Sequence, residues 1–163
     1  MKKEIAFITR AGLTAAVYVV LTLISPLSSG QIQVRFSEAL CVLPLVMPES
    51  VPGLFAGCAL SGVLLGANAL DVVFGSLTTL AAAYLTRRLR HTHPALALLP
   101  PVLLNALVTG TVVYLVYVAE RTPLMWLATM LSVGAGEAVA VYGLGALVKP
   151  VLGRLPQFKG KIK

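Results

Sequence analysis

The chain reads as an all-α polytopic membrane protein: six transmembrane helices in one compact bundle, with both termini cytoplasmic. Three observations carry that reading. Hydrophobic residues make up 58% of the 163 residues and charged ones 12%, with mean hydropathy +0.90, whereas a soluble domain carries about a quarter charged residues. The apolar residues fall into runs punctuated by Pro, Gly and charge, at lengths that suit helices. The 13 basic residues outnumber the 6 acidic ones and cluster between the runs. That excess reads as membrane topology rather than as a surface for nucleic acid. The whole chain, 1–163, leaves room for one transmembrane domain and no separate soluble one.

The first run covers 5–25. Its Met1-Lys2-Lys3 start resembles a signal peptide, but Arg10 interrupts it and no small-residue cleavage pattern precedes Pro26, so a retained span is expected. Ala11-x-x-x-Ala15 and Gly12-x-x-x-Ala16 place small residues one turn apart, which lets another helix approach closely. The second run, 37–47, is short and ends at Pro44 and Pro48. The third, 51–67, carries Gly53-x-x-x-Gly57-x-x-x-Ser61. Only the turn Gly66–Asp71 divides it from the fourth, 70–88, so a five-span chain competes with a six-span one. The fifth, 95–118, and the sixth, 124–148, exceed the roughly 20 residues that a bilayer core requires.

Charge decides the count. Six spans put Lys2, Lys3, Arg10, Arg87, Arg88, Arg90, Lys149, Arg154, Lys159, Lys161 and Lys163 on one side, and only Arg35 and Arg121 on the other. Eleven against two is a strong positive-inside bias. An odd number would separate the basic start from the basic tail. The chain is therefore expected in the cell membrane as a multi-pass protein.

Glu137 is the most informative residue. It sits near the middle of the sixth run, where a carboxylate costs roughly 2–4 kcal/mol even on lenient insertion scales, and its own helix offers no cation. Such a group faces a protein interior and meets a partner, a proton or a ligand there. Asn105 lies at similar depth in the fifth span. Arg35 and Glu38 are expected at the outer end of span two, and Asn68 and Asp71 at the outer turn between spans three and four. Together these groups outline a polar funnel that opens outward. Structural roles compete with ligand contact at several of them. Arg35 and Glu38, three apart, can pair with each other. Asp71 stands where an N-cap belongs, Asn68 where a left-handed helix end does, and Asn105 can bond between helices. Tyr114 and Trp126 offer ring faces to a planar ligand, or form an interfacial aromatic belt.

Other chemistry finds no footing. The chain has no G-x-x-x-x-G-K-[ST] phosphate loop, no G-x-S-x-G elbow and no H-E-x-x-H zinc helix. His91 and His93 lie in a basic loop where solvation suffices to explain them. Cys41 and Cys58 occupy apolar segments without metal-ligand spacing and read as packing residues. No catalytic residue, metal or cofactor is expected.

The stretch Gln33-Val-Arg-Phe-Ser-Glu-Ala-Leu-Cys-Val-Leu-Pro44, followed by Val51-Pro-Gly-Leu-Phe-Ala-Gly-Cys58, resembles the QueT family, as does Leu70-Asp-Val-Val-Phe-Gly-Ser-Leu77. These are S components of energy-coupling factor (ECF) transporters, proposed to take up queuosine precursors. The resemblance implies a six-helix protein that binds a small micronutrient from outside. It also implies an energising module of one transmembrane scaffold protein and two ATPase subunits. Small residues on the first helix of S components commonly dock the scaffold, which would map onto Ala11 and Ala15.

The residues agree chemically with that resemblance. A 7-deazaguanine presents a ring N–H and an exocyclic amino group side by side, a donor pair that suits a carboxylate. Glu38, Asp71 and Glu137 against Arg35 leave a formal −2, which disfavours anionic vitamins and leaves thiamine or another cationic heterocycle as an alternative. A small intramembrane enzyme with Glu137 as acid or base is a rival of a different class, as is a structural or channel-like oligomer. The enzyme reading lacks a nucleophile or a metal partner.

Overall fold

The computed structural model describes residues 2–25 and 35–154. Gln33 of the QueT-like stretch and Lys159, Lys161 and Lys163 of the basic tail lie outside the described residues. Among the described residues six helical segments follow one another: α1 (Lys2–Leu23), α2 (Phe36–Leu45), α3 (Ser50–Leu64), α4 (Ala69–Arg88), α5 (Pro94–Tyr117) and α6 (Pro123–Val148, continued to Arg154). No strand occurs among the described residues. The punctuation read from the sequence sets the boundaries. Thr122 and His93 cap α6 and α5 by accepting from Met125 N and Ala95 N, each with proline at the next position, where a missing N–H costs nothing. His93 thus has a local structural role.

Four helices, α1, α4, α5 and α6, are long and apolar enough to cross a membrane. The other two are shorter, 10 and 15 residues. Apolar side chains cover the outside: Ile8, Leu13, Val63, Leu64, Leu124, Leu131 and Leu147 are each more than half exposed. An exterior this apolar suits lipid rather than water, and the chain is a membrane protein.

Cross-contacts give the path. Arg10 on α1 pairs with Glu49 at 3.1 Å, and Arg87 at the end of α4 donates to the carbonyls of Pro44 and Leu45 at 3.1 Å each. At the opposite end, Asn68 N–H reaches Tyr117 Oη at 3.5 Å, and Trp126 Nε1 donates to Thr111. Successive segments therefore alternate in direction.

α2 runs through the middle of the bundle, buried from Ser37 to Pro44, and it is wound as a 3₁₀ helix. Three residues per turn stack every third side chain along one edge, which aligns Arg35, Glu38, Cys41 and Pro44. α1 packs on α3 through small residues. A methyl group added at Gly53 would meet Ala11 O at 2.6 Å, and one at Gly57 would meet Tyr18 Cβ at 2.7 Å.

Three expectations are corrected here. Asn68, not Asp71, caps α4, its Oδ1 accepting from Leu70 N at 3.0 Å. The left-handed residue that ends α3 is Gly66, the single positive-φ position among the described residues, as suits a residue without Cβ. Ala15 is 8% exposed and faces α3, so the Ala11/Ala15 side of α1 is spent inside the bundle. The outward face instead carries Gly12, with open space around it, and exposed Ala16.

Candidate functional site

Arg35, Glu38, Asn105, Thr109, Val133 and Glu137 line one cavity in the interior. Four of the eight expected binding residues thus meet, drawn from α2, α5 and α6. Arg35 and Glu38 do not sit at an outer rim as expected. α2 begins deep in the bundle, so they share the level of Asn105 and Glu137. Asp71 stands behind them, its Oδ2 at 3.8 Å from Arg35 Nη2 and its side chain 2% exposed. In place of the funnel of the sequence reading there is a narrow polar centre lined by buried side chains. Its volume is about 10 Å³, room for about one water.

Local backbone geometry presents these groups. Asn105 opens a π turn, Asn105–Thr109, within α5, and a second π turn, Val139–Leu144, follows Glu137 in α6. Such widened turns are uncommon and concentrate at functional positions. Above them the two helices are knit together: a methyl at Gly110 would strike Met130 Cα at 2.9 Å, and one at Gly134 would meet Ala106 Cβ at 3.0 Å. The parts of α5 and α6 nearest their connecting turn form a tight hairpin that carries Val133 and Glu137.

Most of the polar atoms around the cavity have partners, and two do not. Tyr18 donates its hydroxyl to Glu38 Oε1, and the Cys41 thiol donates to Oε2 at 3.2 Å. Thr109 Oγ1 donates to Asn105 Oδ1 at 2.8 Å. Glu137 Oε1 and Asn105 Nδ2 are buried without a hydrogen-bond partner, a costly condition for atoms so placed. The donor atoms of Glu38, Cys41 and Glu137 lie within 4.8 Å of one another, close enough to hold a cation. Arg35 on the same cavity opposes that use, and both Glu38 oxygens are already engaged.

Sequence reasoning missed Tyr18, Cys41, Thr109 and Val133. Tyr18 had a legible signal: Thr14, Tyr18 and Thr22 recur every four residues on α1, and all three are buried. Thr22 Oγ1 donates to Ser37 at 2.8 Å, so this polar stripe grips the start of α2.

Three expected residues stand apart. Asn68 is an exposed cap. Tyr114 and Trp126 line a surface groove of about 440 Å³ with Arg121 and Pro123, and their polar atoms bond to Thr122 O and Thr111. There they tie α5 to α6, away from the buried carboxylates.

Comparison with known proteins adds one positive finding. The family described as QueT transporter matches residues 8–154. No curated protein and no solved structure matches the chain.

Proposed function

The chain belongs to the QueT transporter family, and from that premise we propose that it is the substrate-binding S component of an ECF-type uptake transporter, taking a 7-deazaguanine queuosine precursor from the outside. Membership places it among transporters rather than enzymes. The observation that carries the substrate reading is the pair of carboxylates, Glu38 and Glu137, on one buried cavity beside Arg35 and Asn105. Glu137 keeps one oxygen free to accept from a ring N–H and its neighbouring amino group. The aminomethyl form of such a base is also a cation, which suits a centre where three carboxylates face one guanidinium.

The cavity is too small for a bicyclic ring, so binding requires it to open. The hairpin of α5 and α6 carries Glu137, and the two π turns lie where it would bend. Swinging outward, it would draw Glu137 and Val133 away from Arg35 and Glu38.

Isothermal titration of the purified protein with 7-deazaguanines, guanine and thiamine tests the reading. Saturable binding of the deazaguanines, without chemical turnover, is expected. Exclusive binding of thiamine would replace the substrate, and turnover would replace the class.

In the membrane, all six segments are taken as passes with both termini cytoplasmic. Motive is the charge bias, eleven against two, together with the alternating path. Thiol labelling of single-cysteine variants should find position 90 inside and position 121 outside. Termini on opposite faces would overturn the six-pass arrangement. Uphill uptake then draws on a transmembrane scaffold and two ATPase subunits, because the chain has no phosphate-binding loop.

A further inference from the structure

Two polar atoms on the cavity wall have no partner, and they are of opposite kinds. Glu137 Oε1 accepts and Asn105 Nδ2 donates, on residues each 6% exposed. The neighbouring groups are spoken for. Glu38 is held at both oxygens by Tyr18 and Cys41. The Thr109 hydroxyl holds Asn105 Oδ1 at 2.8 Å, so the amide presents its NH₂ end. Apolar Val133 and the Arg35 guanidinium complete the wall.

We infer that Asn105 and Glu137 read the lactam edge of the ligand, with Asn105 Nδ2 donating to the ring carbonyl oxygen and Glu137 accepting from the adjacent ring N–H and amino group. The inference rests on the purine-type ligand proposed above and adds the residue that selects for the carbonyl. A guanine-type edge offers, in order, an acceptor, a donor and a donor. Asn105 meets the first and Glu137 the other two. Thr109 is a positioning residue, acting through the orientation it gives the Asn105 amide.

Equilibrium binding of guanine, 6-thioguanine and hypoxanthine to the full-length protein separates the two contacts. 6-Thioguanine replaces the carbonyl oxygen by a poor acceptor, and hypoxanthine lacks the amino group. The wild type should prefer guanine to 6-thioguanine by about tenfold or more, since a site built around a hydrogen bond rejects a ligand that cannot make it. Asn105→Leu should bring that ratio close to one while leaving guanine preferred over hypoxanthine. Glu137→Gln should do the converse. Thr109→Val should lower the guanine to 6-thioguanine ratio as well, and it serves if Asn105→Leu does not fold. A ratio unchanged in whichever of these variants folds would overturn the inference and leave the functional reading intact. Failure of the wild type to bind any of the three bases, or a 7-deazaguanine, would overturn both.

Discussion

Glu137→Gln should weaken ligand binding by at least ~2 kcal/mol, about thirtyfold, as expected when a charged hydrogen bond is lost. It should do so without loss of fold. Glutamine keeps the size of the side chain and one acceptor oxygen, so the packing against Asn105 and Val133 survives. One carboxylate oxygen, Oε1, has no hydrogen-bond partner, and a buried charge is costly. Removing the charge should therefore leave thermal stability in detergent unchanged or raise it. A structural residue behaves differently: its loss lowers stability and affinity together. Opposite movement of melting temperature and affinity would identify Glu137 as a binding group. Unchanged affinity would return it to packing.

Helix positions were legible because their punctuation is chemical and local. Proline, glycine and charge bound the runs, and the structure ends its helices close to those marks. Glu137 and Asn105 were legible because a polar group in an apolar run needs a reason. The depth of Arg35 and Glu38 was not. It follows from α2 starting inside the bundle, and periodicity carries no information on where along the membrane normal a short helix begins. The winding of α2 was also hidden. At three residues per turn Cys41 stacks directly on Glu38 and bonds to it, whereas in the sequence it is one more small residue in an apolar run. Asn68 took the cap expected of Asp71 for a similar reason. Both types favour the start of a helix, and only the turn at Gly66 decides which one arrives there.

Gly12→Trp and Ala16→Trp should block copurification with the transmembrane scaffold and abolish uptake while leaving ligand affinity intact. The sequence offered two small-residue pairs on α1, one residue out of register, and the structure tells them apart. Ala11 and Ala15 face α3, where Gly53 and Gly57 leave no room for additional atoms. Ala15→Trp should therefore damage the fold and, through Tyr18 on the same inner face, the carboxylate centre as well. Gly12 and Ala16 face outward, and Gly12 has no atom within 4 Å of an added Cβ. Leu13, Val17 and Val20 on this outer side are exposed and apolar, so lipid covers the face when no helix does. Small side chains within such a surface allow close helix contact, which is what the scaffold proposed for this family requires. Indole rings at 12 and 16 would hold a partner helix away without touching Tyr18 or Glu38. The measurements are copurification, uptake in cells and equilibrium binding on the same variants. Normal uptake with tryptophan at both positions would remove this face of α1 from the docking surface. Loss of binding instead would mean that the outer face of α1 supports the ligand centre, and that assembly and recognition share one helix surface.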